Sequence, residues 1–344
     1  MNLVVLHSPY HLFLYRRFLT KKFIEKEKTI LLIYPYQNID LNVFEDDAAF
    51  IQYAKANKLL NRFNYKIMFL NFLSFFTENL RINKSNTELF ERIFKANKIN
   101  ALYVFTDNLP FYVKLIKTAK KYKVENRYLV EDGLIHYVDM SVQKKVDYVF
   151  KSIIKIFLGY GRQLFRGYGS NKLITKHFCL NPKLSRFNVE TIPLIQEPLS
   201  IESTSLEKNK EIIYISQTLS EFNYLSLEEE IGIIKKLYHI ALEKGYKFYI
   251  KPHPRENLKK FDGLPKELII NDDSIAELLA IDRGAIAISP ISSAIFNLVN
   301  IYGYKDAYYI FDALNLRSVN LKILTSKFPK ENRIVDLDEF FNLI

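Results

Sequence analysis

Apolar residues in the first half of this chain form short strand-like runs, separated by longer stretches with helical periodicity. The runs predict strands at residues 2–7, 29–34, 66–70, 102–105 and 127–130. Apolar positions that recur every three or four residues predict helices at 9–25, 43–60 and 111–122, and a broken helical region that ends at Lys98. Strands that alternate with helices are typical of a parallel sheet with helices on both faces.

The same alternation begins again after a polar, proline-containing segment at residues 188–210. Strands are predicted at 211–215, 246–250, 267–270, 285–288, 306–311 and 332–335, and helices at 227–244, 275–281, 294–302 and 337–343. Ser226 is the expected N-cap of the first of these helices. Because 344 residues exceed the usual size of one compact core, we predict an α/β fold with two Rossmann-like domains, at 1–187 and 188–344.

Composition and charge narrow the class of protein. The single cysteine, Cys179, excludes an internal disulfide and a multi-cysteine zinc site, which favours a reducing, cytoplasmic compartment. The chain lacks an apolar run of the roughly 18 residues that a membrane span needs, and its N-terminal run lacks the basic region of a signal peptide. The net charge of +11 fits a nucleic acid, an anionic membrane or a polyanionic substrate, and it also fits the Lys- and Asn-rich usage of AT-rich genomes.

A mixed basic and aromatic stretch at residues 141–169 interrupts the alternation. It can rest on an anionic bilayer at the inner face of the cytoplasmic membrane, with its aromatic side chains down and Lys and Arg at the headgroups. It can equally form a crossover helix between the domains, which we favour.

Two carboxylates and a glycine, Glu131-Asp132-Gly133, directly follow the strand at 127–130. The glycine permits a sharp turn and the carboxylates can project into the crevice at the carboxyl edge of the sheet. His7 ends the first strand and is expected at the same edge. A helix N-cap or a simple turn is the structural alternative. The remaining acidic clusters, among them the one at 228–230, are interpreted as surface or helix-start positions.

In the second half, the strand at 246–250 stops at Lys251-Pro252-His253-Pro254 because prolines cannot continue a strand or a helix. The histidine and lysine offer a switchable proton and a fixed positive charge to an anionic group such as a phosphate. A tight surface turn is the structural alternative. Ser292 and Ser293 follow the strand at 285–288 and open a helix. Helix N-termini bind anions, and serine is also a common N-cap.

Together these motifs resemble those of bacterial sialyltransferases and polysialyltransferases with the GT-B fold. The acidic-acidic-glycine, His-Pro and paired-serine motifs occur in the family's order, and the resemblance extends over nearly the whole chain. It implies two Rossmann-like domains with an active-site cleft between them, the first binding the acceptor and the second the donor.

The resemblance also implies transfer of sialic acid from CMP-sialic acid with inversion and without a metal or other cofactor. Glu131 would be the general base, with Asp132 as second choice, and His253 would stabilise or protonate the departing phosphate. Donor contacts are expected at Lys251, Pro252, Glu277, Ser292, Ser293, Ser216 and Gln217. Contacts on the acceptor or sialic-acid side are expected at His7, Ser8, Asp107 and Gly133.

Two alternatives remain at this point. The first is another enzyme that uses a cytidine nucleotide, such as a Kdo transferase or a polyol-phosphate transferase of surface polysaccharide synthesis. The second is a non-catalytic, basic protein that binds a membrane or a nucleic acid, which rests only on the charge and on the 141–169 stretch.

Overall fold

The computed structural model describes residues 1–25, 28–33, 51–53, 72–137, 169, 171–185, 189–195, 209–254, 256–271, 275–314 and 329–343. The chain divides into two compact units, Met1–Leu194 and Ile195–Ile344. The boundary lies within the polar segment at 188–210, seven residues beyond residue 187, because a strand at Glu190–Pro193 pairs within the first sheet.

The first unit is a parallel α/β sheet. Its elements are β1 (Asn2–Leu6), α1 (Pro9–Leu14), a π-helical turn (Tyr15–Leu19), α2 (Thr20–Lys22), β2 (Thr29–Ile33), β3 (Ile51–Tyr53), α3 (Phe72–Ala96), β4 (Ala101–Val104), α4 (Pro110–Lys121), β5 (Asn126–Val130), two 3-10 turns (Gly133–Tyr137 and Pro182–Leu184), β6 (Lys176–Cys179) and β7 (Glu190–Pro193). The strand order among the described residues is β3-β2-β1-β4-β5-β6-β7, with every pair parallel. Side chains of β1, β2, α3 and α4 form its core, Leu3, Phe90 and Leu115 among them.

The second unit repeats this architecture on a smaller scale. Its elements are β8 (Glu211–Ile215), α5 (Leu227–Glu243), β9 (Lys247–Lys251), 3-10 turns (Leu258–Phe261, Lys266–Leu268, Phe311–Ala313 and Lys330–Asn332), α6 (Ala276–Arg283), β10 (Ile286–Ser289), α7 (Ser293–Asn300), β11 (Ala307–Tyr309) and α8 (Leu337–Leu343). The order is β11-β10-β8-β9, again parallel. Ser226 caps α5 in a reciprocal capping box with Glu229, as its position predicts.

Several predictions for the first unit are wrong. Ile51–Tyr53 lies in the predicted helix at 43–60 but pairs with β2 as a strand. The predicted broken region is one continuous helix, α3. Strands β6 and β7 were not predicted, because their sequences, KHFC and ETIP, lack an apolar run. They depend on context: β6 pairs with β5, and β7 pairs with β6. The predicted strand at 66–70 lies outside the described residues.

Two predicted strands of the second unit, at 267–270 and 332–335, are not strands in the structure, and each begins within a 3-10 turn. Lys266–Leu268 and Lys330–Asn332 each follow a proline, Pro265 and Pro329, with φ of −56° and −55°. Proline removes a ladder donor and presets a turn, so each segment keeps only a single bridge to the sheet, Ile250 with Ile269 and Tyr309 with Arg333.

The basic stretch at 141–169 lies outside the described residues, apart from Gly169. In the part of the chain that is described, none of the helices combines the length and apolar character that a membrane crossing requires.

Candidate active site

Each sheet has a point where the strand order reverses, and this point positions the candidate residues. In the first unit it lies between β1 and β4, followed along the chain by His7 and by Asp107; in the second it lies between β8 and β10, followed by Ser216 and by Ser292. Ligands of open α/β sheets bind outside the carboxyl ends of the strands at such points. Ser292 thus follows a strand at such a point, whereas Glu131 follows β5 and His253 follows β9, each one strand further along the same edge.

Glu131, directly after β5, is 1% exposed. Its Oε2 accepts hydrogen bonds from the Tyr137 hydroxyl and from the Leu180 N–H at 2.7 Å. Its Oε1 is enclosed and has no hydrogen-bond partner among the described residues. Burial raises the pKa of Glu131 to about 7, although the two donors oppose the rise. A carboxylate with this pKa and one unoccupied oxygen has the properties of a general base near neutral pH.

Asp132 lies on the accessible side, with its side chain 23% exposed. Its Oδ1 contacts the Nε2 of fully buried His11 at 2.8 Å, and its backbone N–H donates to the Nδ1 of His136 at 2.6 Å. Burial lowers the pKa of His11 well below its usual value, so we take this contact as a neutral N–H donating to a carboxylate and not as an ion pair. The turn depends on Gly133, whose φ of 72° favours glycine.

His7, His11 and Asp132 form a group whose potential metal-ligating atoms all lie within 4.8 Å of one another. Two imidazoles and a carboxylate are a familiar zinc set. The backbone N–H of His7, however, donates to the Nδ1 of His11 at 3.3 Å. The proton of the neutral His11 ring is therefore on Nε2, the atom that faces Asp132. Binding a metal at Nε2 would require this proton to leave or to move to Nδ1, which would break the hydrogen bond from His7.

Asp107 and Ser8 are occupied by local contacts. The two oxygens of Asp107 accept the N–H groups of Gly169 at 3.0 Å and Asn171 at 2.8 Å, and burial raises its pKa to about 6. Ser8 caps α1 by accepting the His11 N–H. The structure therefore gives both residues a role in shaping the edge of the sheet.

In the second unit, Glu256 ties together the loops after β8 and β9. Its Oε1 accepts a hydrogen bond from the Ser216 hydroxyl at 2.7 Å, and its Oε2 accepts one from the backbone N–H of His253 at 2.6 Å. The Ser216 N–H also donates to the carbonyl of Lys251 at 2.9 Å. Pro252 continues from the strand, so the His-Pro turn is held through its backbone on both sides.

Lys260 contacts the carboxylate of Glu256 and stabilises this arrangement. Its ammonium contacts Glu256 and lies 2.8 Å from Glu230, and it donates to the carbonyl of Gln217 at 3.3 Å. Burial disfavours charge on both partners and raises the pKa of Glu256, yet the carboxylates outweigh burial at Lys260 and raise its pKa. We take the pair as ionised, since both oxygens of Glu256 accept hydrogen bonds. Glu230, which we predicted at the surface, is 1% exposed because it pairs with Lys260.

Ser292 and Ser293 stand at the start of α7. Ser292 is the N-cap, and its Oγ accepts the Ala294 N–H at 3.1 Å, which leaves its own hydrogen available to donate. Ser293 is the first helical residue and is partly exposed. Glu277, on α6, is 4% exposed and accepts a 2.7 Å hydrogen bond from Asn297 of α7. Burial raises the pKa of Glu277.

Comparison with known proteins gives the family of this chain. The model of the alpha-2,8-polysialyltransferase family matches residues 2–310. The chain belongs to this family. It is therefore a sialyltransferase, and so a glycosyltransferase, as the motifs predict. Comparison with curated protein sequences finds no match.

Solved structures similar to this sialyltransferase support the predicted GT-B architecture. A Listeria monocytogenes protein assigned as a UDP-N-acetylglucosamine 2-epimerase aligns over 86% of this chain and 75% of its own, at 10% identity and a TM-score of 0.52. UGT89C1 of Arabidopsis thaliana, solved with UDP, aligns over 99% and 89%, at 11% identity and a TM-score of 0.51. A Photobacterium damsela sialyltransferase aligns over 97% of this chain and 80% of its own, at 11% identity and a TM-score of 0.49.

Sequence reasoning missed several residues of both sites. These are His11, His136 and Tyr137 in the first unit and Glu230, Glu256 and Lys260 in the second. Some local signals were present: Glu256 lies three residues after His253, the spacing of a carboxylate that bonds back to a turn, and Lys260 follows it at the i,i+4 spacing of an ion pair. The contacts of Glu131 with Leu180 and of Lys260 with Glu230 join distant segments and left no such signal.

Proposed function

We propose that this enzyme transfers sialic acid from CMP-sialic acid to a glycan hydroxyl with inversion, and that Glu131 is the general base. The observation that carries the proposal is the environment of Glu131: a buried carboxyl with a pKa of about 7 and one oxygen without a partner, directly after a strand at the ligand-binding edge. Asp132 is more accessible, but its carboxylate contacts His11 and thus remains the second choice.

On the acceptor side, the proposed step is a single displacement. The acceptor oxygen forms a bond to the anomeric carbon as the bond to the CMP phosphate breaks, and the hydroxyl proton passes to Oε1 of Glu131. Because Oε1 is enclosed, the acceptor reaches it only when neighbouring side chains move apart. His7, Ser8, Asp107 and Gly133 surround this edge and are proposed to shape the acceptor or sialic-acid side.

On the donor side, the second unit supplies positive charge and donors for the phosphate of CMP. The partial positive charge at the start of α7, together with the hydroxyls of Ser292 and Ser293, suits an anion. His253 stabilises or protonates the leaving phosphate, and Lys251 and Pro252 line the cytidine side. Glu277 is proposed at the ribose, with Ser216 and Gln217 closing the site.

No metal is required in this proposal, because His253 and the N-terminus of α7 neutralise the leaving phosphate. Turnover should survive excess EDTA. Complete loss of activity that magnesium or manganese restores would contradict it.

The acceptor proposed first is a sialic-acid-terminated glycan, since the family is named for α2,8-linked polysialic acid. Capsule or lipooligosaccharide chains are the corresponding surface glycans, assembled at the inner face of the cytoplasmic membrane. Incubation with CMP-sialic acid and a panel of galactosides and oligosialic acids, followed by product masses, identifies the acceptor and tells single transfer from polymerisation.

Calorimetry with CMP, UMP, UDP and GDP tests the donor. We expect CMP to bind most tightly, and Ser292→Ala with Ser293→Ala to weaken it. Preference for any other nucleotide would overturn the donor assignment.

A further inference from the structure

The carboxylate of Glu131 is held asymmetrically. Two donors, the Tyr137 hydroxyl and the Leu180 N–H, converge on Oε2, whereas Oε1 accepts nothing from the described residues. We propose that Tyr137 is the positioning residue of the catalytic base: its hydroxyl fixes Oε2 and leaves Oε1 to take the proton of the acceptor. This inference rests on the proposed role of Glu131.

The local chain geometry delivers the Tyr137 hydroxyl to Glu131. The 3-10 turn Gly133–Tyr137 begins at Gly133, in the left-handed region, and brings Tyr137 back towards the residue six positions before it. The Tyr137 oxygen also accepts the Asn181 N–H at 3.0 Å. With that lone pair occupied, the hydroxyl hydrogen is directed to the carboxylate.

The Tyr137 hydroxyl stays protonated, and so a donor, over the pH range in which Glu131 titrates. Its residue is 5% exposed, and burial together with the charge of Glu131 raises its pKa well above the usual 10. A neutral phenol at this position donates and does not compete for the acceptor proton.

Loss of the hydrogen bond from Tyr137 to Glu131 should change the pH dependence of kcat, which loss of packing alone would not do. The hydrogen bond from Tyr137 stabilises the ionised carboxylate of Glu131 and lowers its pKa, whereas burial raises that pKa. Removing the hydroxyl therefore raises the pKa of Glu131, and the acidic limb of the kcat profile moves to higher pH. Because the lost activity comes from protonation of the base, it returns as the pH rises.

The test is Tyr137→Phe, with kcat measured at saturating substrates from about pH 5 to pH 9. We expect the midpoint of the acidic limb to move to higher pH by roughly one unit. The loss of kcat relative to wild type should then be largest at acidic pH and smallest at alkaline pH. Tyr103→Phe is the matched control. Tyr103 is also buried, and its ring packs on Tyr128 and Phe178 in the same sheet, so its limb should not move.

An unmoved limb, or a loss by the same factor at every pH, overturns the inference. If Tyr137→Phe does not fold, incorporation of 3-fluorotyrosine at position 137 provides a near-isosteric variant. Its more acidic phenol is a stronger donor and should shift the limb downward; no shift or an upward shift overturns the inference.

Glu131→Gln keeps this test separate from the proposed function. If Glu131→Gln is inactive and the Tyr137→Phe limb is unmoved, the base stands and the positioning role fails. If Glu131→Gln is active, the proposed base itself fails.

Discussion

Glu131 in the first unit and Glu256 in the second are both buried acids that follow a strand, but their surroundings differ. In the first unit, Glu131 and Asp107 are buried without a cation in the contacts described, and burial raises their pKa values to about 7 and about 6. In the second unit, Glu256 is buried against the ammonium of Lys260.

This difference separates two tasks. A buried acid without a counter-charge changes its proton affinity, which serves proton transfer. A buried acid paired with lysine has its charge fixed, and it then serves to hold backbone and hydroxyl groups in place. Glu131 is accordingly suited to proton transfer, and Glu256 to holding the His-Pro turn.

The largest effect is expected from Glu131→Gln. The amide keeps the shape of the side chain but cannot take a proton, so kcat should fall by about 10² to 10⁴ while the affinity for CMP stays near wild type. Steady-state kinetics and calorimetry measure the two quantities.

Asp132→Asn is the matched control and should be milder. If Asp132→Asn is inactive and Glu131→Gln active, the base is assigned to the wrong carboxylate. If both remain active, the proposed mechanism fails.

His253→Ala should lower kcat by about 10² or more and, unlike Glu131→Gln, also weaken CMP binding, because it removes a phosphate contact. Calorimetry of the folded variant separates the two effects. Unchanged CMP affinity would contradict a phosphate contact at His253.

Because Glu131 is buried without a counter-charge in the contacts described, the free energy of unfolding should depend on pH. The folded protein keeps this proton up to about pH 7, whereas the unfolded chain loses it near the ordinary value of 4.5. The free energy of unfolding should therefore decrease between these values, by on the order of 3 kcal/mol in total.

Glu131→Gln removes that titration, so the variant should gain stability relative to wild type as the pH rises from about 5 to about 8. Urea unfolding at several pH values measures the difference. A difference that is the same at every pH would show that Glu131 is not buried as an unpaired acid.

Glu256→Gln tests the second edge. It weakens the hold on Lys260, Ser216 and the His253 N–H, and CMP affinity should fall by about tenfold with a smaller effect on kcat. Glu228→Gln, an exposed position on α5, should change neither. A larger loss in kcat than in CMP affinity would show that Glu256 acts in the reaction itself and not by holding the His-Pro turn in position.

The smallest effect concerns the basic stretch, which lies outside the described residues. Neutralising Lys144, Lys145, Lys151, Lys155, Arg162 and Arg166 together should weaken acceptor use or binding to anionic liposomes a few-fold, with CMP affinity intact. If acceptor use and liposome binding are both unchanged, the stretch is a structural crossover.

Local sequence determined the α/β fold class and the location of the motifs. A continuous apolar run marked β8, which is buried along nearly its whole length, and helical periodicity marked α5 and α8. Prolines and glycines then marked where Lys251-Pro252-His253 and Glu131-Asp132-Gly133 leave their strands. These features depend on neighbouring residues, which a sequence displays directly.

Only the tertiary structure decided how the charged groups are used. Both carboxylates of Glu131-Asp132 have the same intrinsic chemistry; burial beside Tyr137 and Leu180 gives one a pKa of about 7, while contact with His11 occupies the other. Glu230 looks like an exposed helix-start residue until Lys260 packs against it. Tyr137 is six positions from Glu131. Leu180, His11 and Lys260, however, are 30 or more positions from Glu131, Asp132 and Glu230, respectively, and those contacts exist only once the chain has folded.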